Sequence, residues 1–157
     1  MLDQILQTWR THNKMNILLL NSLDEEGLRA RPFAKRDGMN VAHQFAHMQN
    51  VRHWGVEAHC KEYLGGVVKI EREQAENKKL LVKSIRDSSA VIETMIRDVL
   101  EGKVKFRSFK PGVIVYMGYL ISHESHHRGL IMISLKQSGI VLDKKIKWGI
   151  WEWAKSD

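Results

Sequence analysis

Residues 111–139, PGVIVYMGYLISHESHHRGLIMISLKQSG, form the last long apolar segment of the chain, and this segment decides the fold. The Pro-Gly start suits the first turn of a helix, and Gly139 is a natural helix end. Steps of three and four residues place one set of side chains on a single helix face. The pattern predicts a helix over residues 111–138 with a buried stripe of Tyr116, Leu120, His123, His127, Leu130 and Ser134.

Three further helices are predicted upstream of this segment. They run over residues 2–23, 40–64 and 71–100, and glycines or polar stretches separate them. Asn40 is a suitable N-cap for the second. Four long amphipathic segments without a convincing strand are typical of an all-α four-helix bundle. We expect one domain over residues 1–157.

Composition and charge exclude several classes of protein. A chain of 157 residues can bury a core without disulfides, and the one cysteine, Cys60, has no internal partner. No stretch is apolar enough for a membrane helix, and no signal peptide is evident, so we expect a cytoplasmic protein. The formal charge of +7 is dispersed among interleaved acids, which argues against nucleic acid as a partner.

Two pairs of histidines stand out among the eight in the chain. His43 and His47 are four residues apart in the second helix, and His123 and His127 are four residues apart in the last helix. This spacing puts both members of a pair on one helix face. His47 is expected to face the core because it begins a stripe that continues through Val51, Trp54 and Ala58.

Three inward imidazoles, His47, His123 and His127, are predicted to converge on one divalent ion. Helix bundles build metal sites from side chains on facing helices. Buried imidazoles need polar partners, and a metal ion uses one nitrogen of each ring. Imidazole suits zinc, nickel, copper and iron alike. Three protein ligands leave coordination positions open, which is typical of catalytic sites.

Other assignments of the histidines stay open at this point. They could be hydrogen-bonded core or surface residues, or a pH-sensitive pair. His43 is the rival of His47 as third ligand, since it lies one turn away on nearly the same face. His126 is expected at the surface. The remaining histidines, which have no histidine four residues away, are expected outside the metal site: His12, His53 and His59.

Two motifs resemble a known family. HESHHRGLIMISLKQSG, residues 123–139, resembles the last-helix signature of the DinB/YfiT-like superfamily, and VAHQFAHMQNVRHW, residues 41–54, resembles its second-helix segment. The resemblance implies a four-helix bundle of up-down-down-up order with a longer crossover, commonly a homodimer. It also places the family's metal ligands, usually of zinc or nickel, on His47, His123 and His127.

The aromatic C-terminal segment bears on assembly. KWGIWEW, residues 147–153, is similar to the tail of several members of that superfamily. A segment with three tryptophans is too aromatic to be a free end. We expect it to pack onto the bundle or onto a second subunit.

The reaction implied by the resemblance is less uniform than the fold. Some members resemble thiol S-transferases or isomerases that use bacillithiol, mycothiol or glutathione. We therefore expect a metal-dependent thiol S-transferase that acts on electrophilic small molecules, since a metal deprotonates a bound thiol. A metal-dependent hydrolase and a non-catalytic metal-binding or stress-response protein are the alternatives.

Two roles around this chemistry are assigned from the sequence. Arg128, beside His127, or a lysine of the 29–36 loop is expected to bind the carboxylates of the thiol, although Arg128 also suits an ion pair. The catalytic base is unassigned. Glu124 is a weak candidate because it lies about 100° around the helix from His123.

Overall fold

The computed structural model describes residues 1–32 and 38–155. Within these ranges the chain has no strand and forms four long helices and two short ones, which confirms the predicted all-α fold class. The helices are α1 (Leu2–Ser22), α2 (Glu25–Arg29), α3 (Val41–His59), α4 (Lys78–Leu100), α5 (Val113–Gln137) and α6 (Lys144–Gly149). Short 3-10 turns at Lys61–Gly66 and Arg72–Gln74 lie between α3 and α4.

Capping residues explain where the helices begin and end. Asn40 Oδ1 accepts a hydrogen bond from His43 N at 2.9 Å, which satisfies one of the free amides at the start of α3. At the end of α5 the chain turns through Gly139, whose φ of 76° is in the left-handed region that glycine adopts without strain. Both positions agree with the sequence-based prediction.

Two predicted helices are shorter in the structure. The second ends at His59 instead of residue 64, because Cys60 leaves the helical conformation with a φ of −156°. The third begins at Lys78 instead of residue 71, because Asn77 caps it by accepting a hydrogen bond from Leu80 N at 3.0 Å. The chain between them is therefore a long connection without α-helix.

Contacts between α1 and α4 show that these helices are antiparallel. Trp9 Nε1, early in α1, donates to the carbonyl oxygen of Ser89 at 2.9 Å. Lys78 Nζ, at the start of α4, donates to the carbonyl oxygen of Asn21, late in α1, at 2.9 Å. Sequence positions thus rise along α1 as they fall along α4.

The remaining helix directions follow from α3. Arg52 reaches the carbonyl oxygen of Ile85, and Tyr63, just beyond α3, donates to Asp98, so α3 and α4 run parallel. α5 is antiparallel to α3, because His127 contacts Gln44 near the start of α3, whereas Glu124, earlier in α5, contacts Arg52, later in α3. The order is up-down-down-up, and the parallel α3–α4 pair requires the long crossover of residues 60–77, as the resemblance implies.

The core consists of two apolar clusters with a polar layer between them. In that layer Arg52 and Glu124 form a fully buried ion pair with N···O distances of 2.7 Å. Hydrogen bonds from His12 and Asn16 to Glu124 extend the layer to α1. The layer joins all four long helices at one level, because Arg52 also donates to the carbonyl oxygen of Ile85 and to Ser88 on α4. His123 and His127 lie on the same stretch of α5 as Glu124.

The C-terminal segment packs partly onto the bundle. α6 lies against α1, where a Cβ at Gly149 would come within 2.9 Å of Leu18 Cδ2. Ile150 is buried, but Trp148 and Trp151 are 62% and 73% exposed. Exposed tryptophans suit an interface with another molecule, and the homodimer stays a prediction. None of the described helices has the length and apolarity needed to cross a membrane.

Candidate metal centre

The structure brings the three predicted ligands together. His47 projects from α3, and His123 and His127 project from α5 toward it, so that one nitrogen of each ring lies within 4.8 Å of the others. The ring centre of His47 is 4.8 Å from that of His127 and 5.2 Å from that of His123. The three residues form a cluster that could hold a metal ion.

The spacing of the ring nitrogens fits a metal. The Nε2 atoms of His123 and His127 are 3.2 Å apart. Two imidazole nitrogens bound to one tetrahedral zinc ion are separated by about 3.3–3.4 Å, given zinc–nitrogen bonds of 2.0–2.1 Å. The α5 pair therefore already has nearly the separation that one ion requires, and His47 approaches from the facing helix.

Gln44 orients His127. Its Oε1 lies 2.6 Å from Nδ1 of His127, so this ring nitrogen donates the hydrogen bond and carries the proton. The lone pair of Nε2 then points toward His123 and His47. Such a partner fixes the tautomer of a metal-binding histidine and raises its basicity. The role of Gln44 was not predicted from the sequence. The only signal for it there is its position about one helical turn before His47.

The three imidazoles are neutral at pH 7. Burial lowers the pKa of His127 to about 4, and the neighbouring His123 and His47 add to this shift. Burial also lowers the pKa of His47 and, together with the proximity of His47, that of His123. Neutral rings present free lone pairs, which is the form that binds a metal.

The centre lies at the edge of an open pocket and not in the middle of the core. The predicted core stripe of His47, Val51, Trp54 and Ala58 is wrong in this respect, since Trp54 is 46% exposed. The core face of α3 is instead the one that carries Phe45 and Arg52. The pocket has a volume of about 430 Å³ and is lined by His47, Val51, Trp54, Gly55, Ala58, His59, Tyr116, Tyr119 and His123.

Comparison with known proteins agrees with this geometry. A family model described as the DinB family matches residues 1–142. The chain belongs to the DinB family. The match includes the four long helices and the three clustered histidines of this DinB protein. No curated protein and no solved structure matches the chain.

The rival histidines of this DinB chain have other partners. His43 lies beside the N-cap of α3, with Nδ1 2.6 Å from Asn40 Oδ1. His126 is exposed. His12 is buried against Glu124, with its Nε2 2.8 Å from Oε2. His53 and His59 each bond a backbone carbonyl oxygen through Nδ1. None of these rings belongs to the three-histidine cluster of the described residues.

Glu124 belongs to the polar layer of the DinB fold and does not face the cluster as a free base. Burial alone would raise the pKa of its carboxyl, but the charge and hydrogen bonds of Arg52 and the hydrogen bond of His12 hold that pKa far below its usual range. The carboxylate stays ionised and accepts four hydrogen bonds, from Arg52 (two), His12 and Asn16. The catalytic base stays unassigned.

Arg128 lies on the side of α5 that faces α1. Its guanidinium donates to Asn16 Oδ1 at 2.5 Å and to Ser125 Oγ at 2.7 Å. Its role in binding thiol carboxylates stays a prediction. The alternative lysine of the 29–36 loop, Lys35, lies outside the described residues.

Replacing Gln44 with alanine is expected to weaken zinc binding by about 10- to 100-fold, the usual effect of removing the partner of a metal-binding histidine. The bond from His127 is lost, and its ring is free to rotate or change tautomer. Competition with a chromogenic chelator measures the zinc affinity. Replacing Gln49, a buried glutamine on the same helix that bonds the Val68 carbonyl oxygen, is the control and should leave zinc affinity unchanged. Equal affinities for wild type and the Gln44 variant would contradict the assigned role.

Proposed function

We propose that this DinB-family protein is a divalent-metal-dependent transferase that joins a low-molecular-weight thiol to small electrophiles. The observation that carries the proposal is the position of three convergent, neutral imidazoles at the edge of an open pocket. A site built for structure alone has four protein ligands and is closed to other molecules. Here α3 and α5 supply three, which leaves room for a ligand from the pocket.

Zinc or nickel is the metal we propose. An ion held by His47, His123 and His127 would lower the pKa of a coordinated thiol, so that the thiol is ionised at neutral pH. The chain supplies the rest: Gln44 orients His127, and the pocket beside His47 and His123 admits the second reactant. Thiols such as bacillithiol, mycothiol and glutathione are the proposed co-substrates.

The proposed transfer forms one bond and breaks one. The sulfur electron pair forms a carbon–sulfur bond with the electrophile. The leaving group takes the electron pair of the bond that breaks, or the oxygen of an opened epoxide retains it. The thiol proton passes to solvent. The described part of the pocket holds no carboxylate to accept that proton, since its lining includes neither aspartate nor glutamate.

A test begins with elemental mass spectrometry of the purified protein and continues with a conjugation assay. The zinc- or nickel-loaded protein is incubated with each of the three thiols and 1-chloro-2,4-dinitrobenzene, and the thioether is quantified by mass spectrometry. We expect conjugation above background only with metal and thiol both present, and loss of it in His127→Ala. His126→Ala, which alters an exposed neighbour, is the matched control.

Two results would overturn the proposal. Metal-loaded protein that turns over none of the thiols with this and an epoxide electrophile is not a thiol transferase. Metal-dependent cleavage of esters or amides in the absence of thiol would identify a hydrolase instead.

A further inference from the structure

The side chains that line the pocket beside the metal centre carry no formal charge, so the only formal charge at the site would be that of the bound metal ion. Although the chain carries a formal charge of +7, the described residues that line this pocket include no lysine, arginine, aspartate or glutamate. A phosphate or carboxylate held in the pocket away from the metal would find no side-chain counter-charge to replace the hydration that it loses. The lining therefore suits a neutral molecule and not the charged part of a thiol cofactor.

Two half-exposed aromatic rings flank the metal ligands. Trp54 of α3 is 46% exposed, and its ring meets that of His47 edge-on at 6.3 Å. Tyr119 of α5 is 48% exposed and stacks on His123, with ring centres 5.9 Å apart and an interplanar angle of 24°. Each helix thus places one half-exposed aromatic ring next to one of the three clustered histidines. Exposed aromatic rings are typical of sites that stack flat ligands.

Polar atoms without partners are concentrated at the same pocket. Three buried side-chain polar atoms of the described residues have no hydrogen-bond partner, and two of them, Tyr116 Oη and His123 Nδ1, belong to residues that line it. Tyr116 is 2% exposed, and a Cβ at Gly55 would lie 1.5 Å from its Oη. α3 therefore has a glycine where the Tyr116 hydroxyl reaches the pocket wall. Unsatisfied buried polar groups are rare in folded proteins, and a bound water, ion or ligand is one partner that would satisfy them.

We propose that this pocket is the subsite for the electrophile, and that it takes a neutral, flat aromatic compound stacked between Trp54 and Tyr119. The reactive carbon of the compound would then face His47 and His123. This inference rests on the proposed transferase function in one respect, which is the orientation of the reactive carbon toward His47 and His123. The binding of the aromatic ring depends only on the pocket side chains.

The test is isothermal titration calorimetry of the metal-loaded protein with 1,3-dinitrobenzene, which is flat and neutral and has no leaving group. Trp54→Ala is expected to weaken binding about tenfold, the loss of one aromatic contact and its area. Trp54→Phe should retain most of the affinity. Trp151→Ala removes an exposed tryptophan ring that does not line the pocket and should leave the affinity unchanged.

A saturated comparator tests the requirement for a flat ring. Nitrocyclohexane should bind about tenfold more weakly than nitrobenzene, because both compounds have one nitro group on a six-carbon ring but only the aromatic ring is flat and can stack. Trp54 is half-exposed, so its removal leaves no core cavity, and circular dichroism checks that the helices persist. Tyr119→Leu is the second variant and should also weaken binding.

Several results would overturn the subsite: no binding by the wild type, equal binding by Trp54→Ala, or equal affinity for the saturated compound. The titration contains no thiol and measures no turnover. Failure of the subsite is therefore visible even if conjugation succeeds, and binding that depends on Trp54 would stand even if conjugation fails.

Discussion

Zinc binding is expected to fall by about a hundredfold or more when His127 is replaced with alanine, since each of three protein ligands supplies a large share of the metal affinity. His127 Nε2 lies 3.2 Å from His123 Nε2 and faces His47, so its loss leaves two ligands on different helices. Elemental mass spectrometry after dialysis measures the bound metal, and circular dichroism measures the helical content, which should change little.

Neighbouring histidines provide the controls for this result. His126→Ala should retain metal, because His126 is exposed on another face of α5. His43→Ala should retain it as well, because His43 Nδ1 is engaged with Asn40 at the start of α3. Loss of metal in the His126 variant with retention in the His127 variant would show that the ligand assignment on α5 is wrong.

Replacing Arg52 with alanine is expected to cost about 3–5 kcal/mol of folding free energy, as happens when one partner of a buried ion pair is removed. All five N–H groups of Arg52 are used. They donate to Glu124 twice, to Asn13, to Ser88 and to the carbonyl oxygen of Ile85. The substitution leaves the fully buried Glu124 carboxylate without its cation.

Urea unfolding followed by far-UV circular dichroism at pH 7 measures this loss. The control is Arg97→Ala on α4, which removes a partly exposed ion pair to Glu93 and should cost less than about 1 kcal/mol. The pKa of the Glu124 carboxyl is lower in the folded protein than its usual value of 4.5. The ionised carboxylate therefore contributes fully to stability above pH 4.5, and this contribution is lost as the pH falls toward the pKa of the folded state. A loss as small as that of the control would show that the polar layer does not hold the bundle together.

The helices and their ends are the part of the fold that could be predicted, from the spacing of apolar residues and from the capping residues. The spacing of the apolar residues placed α1 and α5 nearly at their observed bounds. Asn40 and Gly139 marked helix ends because caps act on backbone groups a few residues away. The bounds that were wrong lie at residues 60–77, where 3-10 turns and caps replace the α-helix.

The site could be predicted only in part. The four-residue spacing of His123 and His127 puts both rings on one face whatever the rest of the chain does. The choice of His47 over His43 depends on the rotation of α3 against α5, which a helical wheel of α3 alone cannot show. The same rotation directs the face of α3 that carries Val51, Trp54 and Ala58 away from the core, where it lines the pocket.

The sequence by itself determined the helices, their caps and the histidine pair of α5, because these features depend on residues within a turn or two of one another. Only the tertiary structure decided that Gln44 bonds His127, 83 positions away, and that Arg52 pairs with Glu124, 72 positions away. Such partners meet through the packing of whole helices, whose relative rotation and level are set by the core as a unit. The three-histidine cluster and the pocket beside it are products of that packing.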